Sequence, residues 1–225
     1  MRRTAAVAAA AAVVLASGLT LAAPAAAKAP RKSATFAGYD VESKHVRSAT
    51  ATFVIPHITC KSKLSGVGPA VILDSKKNIF SGAGVGVTCQ AGQPVFESDL
   101  IVNNHQHVLF RLSAGDRVRI SVHETKKKKS SVTLHDLTAK RSRTLTGKGR
   151  TMTFAEIGAQ SVAFGHRSVG VDPFSPTHFH HVLVNGRSLT KEAAFPVERI
   201  NKGHRQIAVG KIIGGKSFTL TFKHS

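Results

Sequence analysis

From Thr35 onward, apolar and polar residues alternate with a period of two, in short runs broken by glycine, proline and polar clusters. In "SATATFVIP", Ala49, Ala51, Phe53 and Ile55 alternate with Thr50, Thr52 and Val54, and Pro56 ends the run. In "GDRVRISVHE", Val118, Ile120 and Val122 fall on one side of an extended chain, with Arg117, Arg119, Ser121 and His123 on the other. "MTFAEIGAQSVAF", "HFHHVLVNG" and the terminal "SFTLTFKHS" keep the period, the last with Phe218, Leu220 and Phe222 on one face. "PAVILD" is a continuous apolar run, as expected of a strand covered on both sides. Helical periodicity is nearly absent. The pattern predicts an all-β chain of about ten or more short strands, arranged as an antiparallel two-sheet β-sandwich.

The N-terminus departs from this pattern. Arg2 and Arg3 precede an apolar run from about Ala5 to Ala22, followed by Ala25, Ala26 and Ala27, the layout of an export signal cleaved near Ala27. Alanine is only weakly apolar and Pro24 breaks the helix, so a cleaved signal is expected rather than a membrane anchor. The expected organisation is a signal peptide over 1–27, a short linker over 28–34 and a single β-sandwich domain over 35–225, secreted and monomeric.

Charge adds a candidate partner. The chain carries 32 Lys and Arg against 12 Asp and Glu, a formal net charge of +20. Such an excess attracts polyanions with an affinity that falls with salt, without implying a specific nucleic acid. Arg117 and Arg119, followed by Lys126, Lys127, Lys128 and Lys129 at an expected hairpin tip, form one basic stripe if the strand runs into that hairpin.

Other chemistries are weakly supported. Cys60 and Cys89 are the only cysteines, an even number in an exported chain, so a disulfide is expected and a structural zinc site is not. His178 and His180, like His105 and His107, are two apart and share a face in a strand, a spacing that can hold a metal. No carboxylate cluster accompanies either pair, so solvated histidines are expected, with no metal and no cofactor. Serine-nucleophile and phosphate-loop motifs are lacking: no Gly-x-Ser-x-Gly occurs, and no Lys-Ser follows "GAGVG".

The order of elements resembles the glutamic peptidases, or eqolisins, including their secreted bacterial relatives. "FAGY", "SATATFVIPHITC", "VILD", "LSAGDRVRISV", "VTLHDLT", "FAEIGAQ" and "GGKSFTLTF" follow in that family's order over almost the whole mature chain. The resemblance implies a concanavalin-like sandwich and a peptidase that works in acid with a glutamate and a glutamine. The glutamate acts as general base on a water, and the glutamine amide orients that water and stabilises the oxyanion.

On that resemblance "FAEIGAQ" places Glu156 as the family glutamate, with Ile157 in place of a tryptophan and Gln160 at a second acidic position. In "SGAGVGVTC" the glutamine position falls on Gly82, and a shift of one residue offers only Ser81 or Ala83. Ala70, Val71 and Ile72 replace a tryptophan-containing strand, Asp99, Leu100 and Ile101 replace an aromatic segment after Phe96, and the chain has no tryptophan. The expected protein is a catalytically impaired, secreted glutamic-peptidase-like sandwich that binds an anionic polymer or a peptide. The rival is an active acid endopeptidase using Glu156 with a rebuilt oxyanion partner.

Overall fold

Alternating runs bounded by turn residues become strands throughout the chain. The computed structural model describes residues 29–62, 65–125, 129–161, 163–164, 167–168 and 170–223, which hold eighteen strands and no helix. Residues 1–28, which include the segment expected to be an export signal, and Lys126, Lys127 and Lys128 lie outside the described residues. In chain order the strands are β1 (Arg31–Ser33), β2 (Phe36–Val46), β3 (Ser48–Val54), β4 (Gly66–Asp74), β5 (Phe80–Gln90) and β6 (Gln93–Val102). They continue with β7 (His105–Arg111), β8 (Arg117–Glu124), β9 (Lys129–Asp136), β10 (Arg141–Lys148), β11 (Met152–Ser161) and β12 (Ala163–Phe164). The last are β13 (Arg167–Ser168), β14 (Thr177–Val184), β15 (Arg187–Ser188), β16 (Phe195–Asn201), β17 (His204–Val209) and β18 (Phe218–Phe222).

One hydrogen-bonded path runs β10-β9-β8-β3-β14-β18-β17-β16-β2-β11-β4-β5-β6-β7, with β1 beside β16, β15 beside β14, and β12 paired with β13. Apart from the parallel β1–β16 pair, the strand pairings are antiparallel. The path doubles over: β3, β8, β9, β14 and β18 form a rear layer, and its inner face packs on a front layer of β2, β11, β4, β5 and β6. β16 and β17 carry the path from one layer to the other. At its two ends, Arg141 of β10 donates from Nη2 to the Arg111 carbonyl of β7 at 2.8 Å and lies 4.1 Å from the Phe110 ring centroid. The sandwich is thereby nearly closed into a barrel, which protects both sheet edges.

Alternation sorts the side chains as expected. Val118, Ile120 and Val122 are buried between the layers, while Arg117, Arg119 and His123 are exposed. Phe53, Phe179 and Phe218 pile up in the core with centroids 5.3 and 4.8 Å apart, each fully buried and contributing about 1.5–3 kcal/mol by leaving water. Tyr39 meets Phe218 edge-on and donates its hydroxyl to the Gly210 carbonyl at 2.9 Å, which satisfies its one polar atom.

Two elements differ from the sequence expectation. β4 is not covered by a sheet on both sides: Val67, Val71 and Leu73 face the core, but Gly68, Ala70, Ile72 and Asp74 line a concave outer surface. Its unbroken apolar run reflects small residues beneath a cleft. Residues 31–33, read as linker, form β1, held where the Arg31 guanidinium lies 4.2 Å from the Phe195 ring centroid.

Cys60 and Cys89 form the expected disulfide, with Cα atoms 5.6 Å apart. Asp172 fixes the loop beside it by accepting from the amides of Lys61 and Ser62 and the hydroxyls of Ser62 and Ser65, at 2.7–3.2 Å. Burial works to raise the pKa of this carboxyl, but those hydrogen bonds win and lower it. Ligand atoms of Cys60, Cys89 and Asp172 lie within 4.8 Å of one another, yet the two sulfurs are bonded together and offer no thiolate to a metal.

Candidate active-site cleft

Antiparallel register lays out the outer face of the front layer row by row. One row crosses Asp40 (β2), Glu156 (β11), Ile72 (β4), Gly82 (β5), Ile101 (β6) and Gln106 (β7). The next crosses Gly38, Gly158, Ala70, Gly84, Asp99 and Val108 on the same strands. Ala70 and Gly84 leave the middle of the second row almost bare, and a cleft of about 540 Å³ opens above it. That volume falls within the range of roughly 300–1,000 Å³ usual for ligand sites.

Glu156 lines this cleft with Gln160, two positions beyond Gly158 on the same face of β11. The bare glycine lets the two side chains meet: Gln160 donates from Nε2 to Glu156 Oε2 at 2.5 Å. A second pair of the same kind stands across the cleft, where Gln106 Nε2 donates to Asp99 Oδ2 at 2.6 Å.

Burial of Glu156 raises its pKa to about 7, and the neighbouring carboxyls of Asp40 and Asp74 add to the rise, while the Gln160 amide opposes it. Asp40, directly beside Glu156 in register, is itself raised to about 6 by burial, with Arg31 pulling the other way. Asp99 is also raised by burial, against hydrogen bonds from Gln106 and the Gly84 backbone. Burial raises Asp74 too, opposed by the Ser75 amide, 2.6 Å from its Oδ1.

Gly82 lies in the Glu156 row, with Ile72 between them. The strands approach so closely here that a Cβ at Gly82 would stand 2.5 Å from the Val71 carbonyl oxygen and 2.9 Å from Ile72 Cα. At Gly84, by contrast, a Cβ would meet nothing nearer than 3.4 Å. The backbone thus excludes any side chain at position 82 unless β4 or β5 moves.

Charge is segregated. Asp74, Glu97, Asp99 and Glu156 line the cleft, and among the described residues no Lys, Arg or His does. Where these carboxyls are ionised, the lining disfavours an anion and favours a positively charged group. Arg117 and Arg119 lie on the outer face of the rear layer, remote from Glu156, and Lys129 opens β9 at the far end of the β8–β9 hairpin. Eight residues of β8 at about 3.3 Å each separate Arg117 from that end, so the basic residues read as one stripe are spread along the whole strand.

His178 and His180 stack with ring centroids 6.2 Å apart, and His105 and His107 sit exposed on β7. Neither pair belongs to a group of three candidate metal ligands among the described residues. The sequence reading missed the partners of Glu156. Gln160 had a legible signal, an even spacing from Glu156 over a glycine, but Asp40 and the Asp99–Gln106 pair are brought to the site only by strand pairing.

Comparison with known proteins agrees with this fold. A sequence model described as the peptidase A4 family matches residues 34–217. Scytalido-glutamic peptidase, solved with a peptide-based transition-state analog, superposes with a TM-score of 0.70 at 17% identity, covering 84% of this chain and 98% of that one. SCP-B, a member of the eqolisin family solved with the tripeptide Ala-Ile-His, gives the same TM-score of 0.70, identity of 17% and coverages of 84% and 98%. Aspergilloglutamic peptidase from Aspergillus niger gives 0.60 at 19% identity, over 70% of this chain and 99% of that one. These structures share the fold. No curated protein matches the chain by sequence. With a family match spanning most of its length, the chain belongs to the peptidase A4 family.

Proposed function

We propose that this is an exported, catalytically impaired member of the family, whose cleft holds an extended, positively charged peptide without hydrolysing it at a peptidase rate. The observation that carries this reading is the packing at Gly82, where the resemblance expects the glutamine and the backbone leaves no room for a Cβ. Losing one oxyanion donor typically costs roughly 100- to 1000-fold in rate. The other amides near the cleft carboxyls are already engaged, Gln160 on Glu156 and Gln106 on Asp99. The raised pKa of Glu156 points the same way, because a carboxyl that ionises at about 7 is protonated in acid and cannot take a proton from water there. Its acidic lining selects the charge of the ligand. Export rests on the N-terminal signal pattern and is consistent with the disulfide, a bond that persists in oxidising compartments.

One observation favours the rival reading: the Gln160 amide touches Glu156 and would stand in for the missing glutamine if a water came between them. Digestion of denatured casein from pH 2 to pH 8, comparing the protein with Glu156→Gln and with Gln160→Leu, decides between them. Equal, negligible turnover supports the binding reading. Cleavage that requires both Glu156 and Gln160 establishes the enzyme.

A further inference from the structure

We propose that the outer face of the rear layer is a second binding surface, for a linear polymer of phosphate groups, and that His178 and His180 make it bind more tightly as the solution turns acid. The surface is separate from the cleft and independent of what the cleft does.

Register builds this face as it builds the cleft. One row crosses His180 (β14), Thr52 (β3), Arg119 (β8), His135 (β9) and Ser142 (β10). Arg117 is paired with Val54 in the adjacent row, and His178 lies one same-face step from His180. With strands about 4.8 Å apart and same-face neighbours about 6.8 Å apart, His178, His180, Arg117 and Arg119 occupy the corners of a rectangle roughly 10 by 7 Å. All four are exposed.

The surroundings supply hydroxyls, and no carboxylate shares the face. Between the cations lie buried Thr52 and the exposed Val54; the hydroxyls of Thr50, Ser121 and Thr133 form the next row, and Thr219 on β18 has its Oγ1 2.9 Å from His178 Nδ1. No Asp or Glu occupies an outward position on β3, β8, β9, β10, β14 or β18. Glu124 and Asp136 turn inward and are buried, and Asp116, in the turn before β8, is held by the Ser113 amide at 2.7 Å. Guanidinium and imidazolium groups with adjacent hydroxyls match phosphate oxygens. The phenylalanine side chains of these strands lie on the core side, so the rings on the face are the charge-bearing imidazoles, and the ligand is read through its phosphate groups.

The pH dependence follows from what faces His180. Burial lowers its pKa first, then His178, His181 and Arg117, while Thr52 beneath it is uncharged. A bound polyanion neutralises those cations and favours protonation, so binding takes up protons and strengthens in acid.

The experiment measures binding of inorganic polyphosphate to the full chain across a salt series at pH 5.5 and pH 8.0. At about 0.7–0.9 for each added contact, His178 and His180 steepen the plot of log affinity against log salt at the lower pH by up to about 1.5. Exchanging both histidines (His178→Gln with His180→Gln) removes most of that difference, leaving the part due to His135, whereas the same loss on β7 (His105→Gln with His107→Gln) keeps all of it. His178→Arg with His180→Arg makes binding at pH 8.0 as tight as that of the unaltered protein at pH 5.5. Persistence of the full difference without His178 and His180, or an equal loss in the β7 variant, overturns the assignment and makes the charge diffuse. A random-sequence RNA binding much more tightly per phosphate than polyphosphate overturns the choice of ligand.

Discussion

Gln160 donates its side-chain amide to the carboxyl of Glu156 from four residues along the same strand, over the bare backbone of Gly158. The hydrogen bond favours the ionised form of a carboxyl that burial, Asp40 and Asp74 push towards the protonated one. Replacing Gln160 with leucine removes the opposing influence, so the Glu156 pKa is expected to climb further above about 7. Carbon-13 titration of the Glu156 carboxyl measures this. An unchanged midpoint would show that the amide does not hold the carboxylate in solution.

Glu156 should make the fold less stable as the pH rises. Its folded pKa of about 7 lies above the ordinary 4.5, so its contribution is fully present below about 4.5 and is lost as the pH climbs through about 7. Glu156→Gln is therefore expected to be more stable than the unaltered protein above pH 7, by no more than about 3 kcal/mol, and equal to it below pH 4.5. Coupling to Asp40 and contact with solvent in the cleft keep the true figure below that bound. Denaturant melts of both proteins across this range give the difference directly, free of the twelve histidines they share.

Gly82 and Gly84 should respond oppositely to the same methyl group. Alanine at 82 forces its Cβ onto the Val71 carbonyl and is expected to cost about 1–3 kcal/mol, while alanine at 84 makes ordinary contacts and stays within about 0.5 kcal/mol of neutral. Gly82→Gln should destabilise at least as much as Gly82→Ala and bring no peptidase activity. Unfolding midpoints and casein digestion check both halves, and a stable, active Gly82→Gln would sink the steric argument.

The disulfide and Asp172 secure one corner of the sandwich by different means. Cys89→Ser opens a link between residues 29 apart and is expected to lower stability by about 2–5 kcal/mol. Asp172→Ala strands the donors of Lys61, Ser62 and Ser65 and is expected to cost about 2–3 kcal/mol near neutral pH. Because the folded pKa of Asp172 is depressed, its contribution is present above the ordinary 3.8 and lost as the pH falls through the folded value, the reverse of Glu156. Melts at pH 7 and pH 3 distinguish the two: the Asp172 effect shrinks in acid and the disulfide effect does not.

Alternation by itself determined the strands, the core and the fold class. Val118, Ile120 and Val122 had to share a face because successive side chains of an extended chain point opposite ways, and a buried face admits one register. The same rule placed Gln160 on the face of Glu156. Three things were decided only by tertiary structure. Asp40 reaches Glu156, and Gln106 reaches Asp99, because β2 pairs with β11 and β7 with β6. The apolar run of β4 became the floor of a cleft because the front layer is concave there. Gly82, legible as a missing amide, became a position without room for any side chain because β4 and β5 close to 2.5 Å of its absent Cβ. Periodicity along a strand is local and written in the chain, whereas the pairing of strands and the spacing between them depend on residues far apart in sequence that meet only in the folded protein.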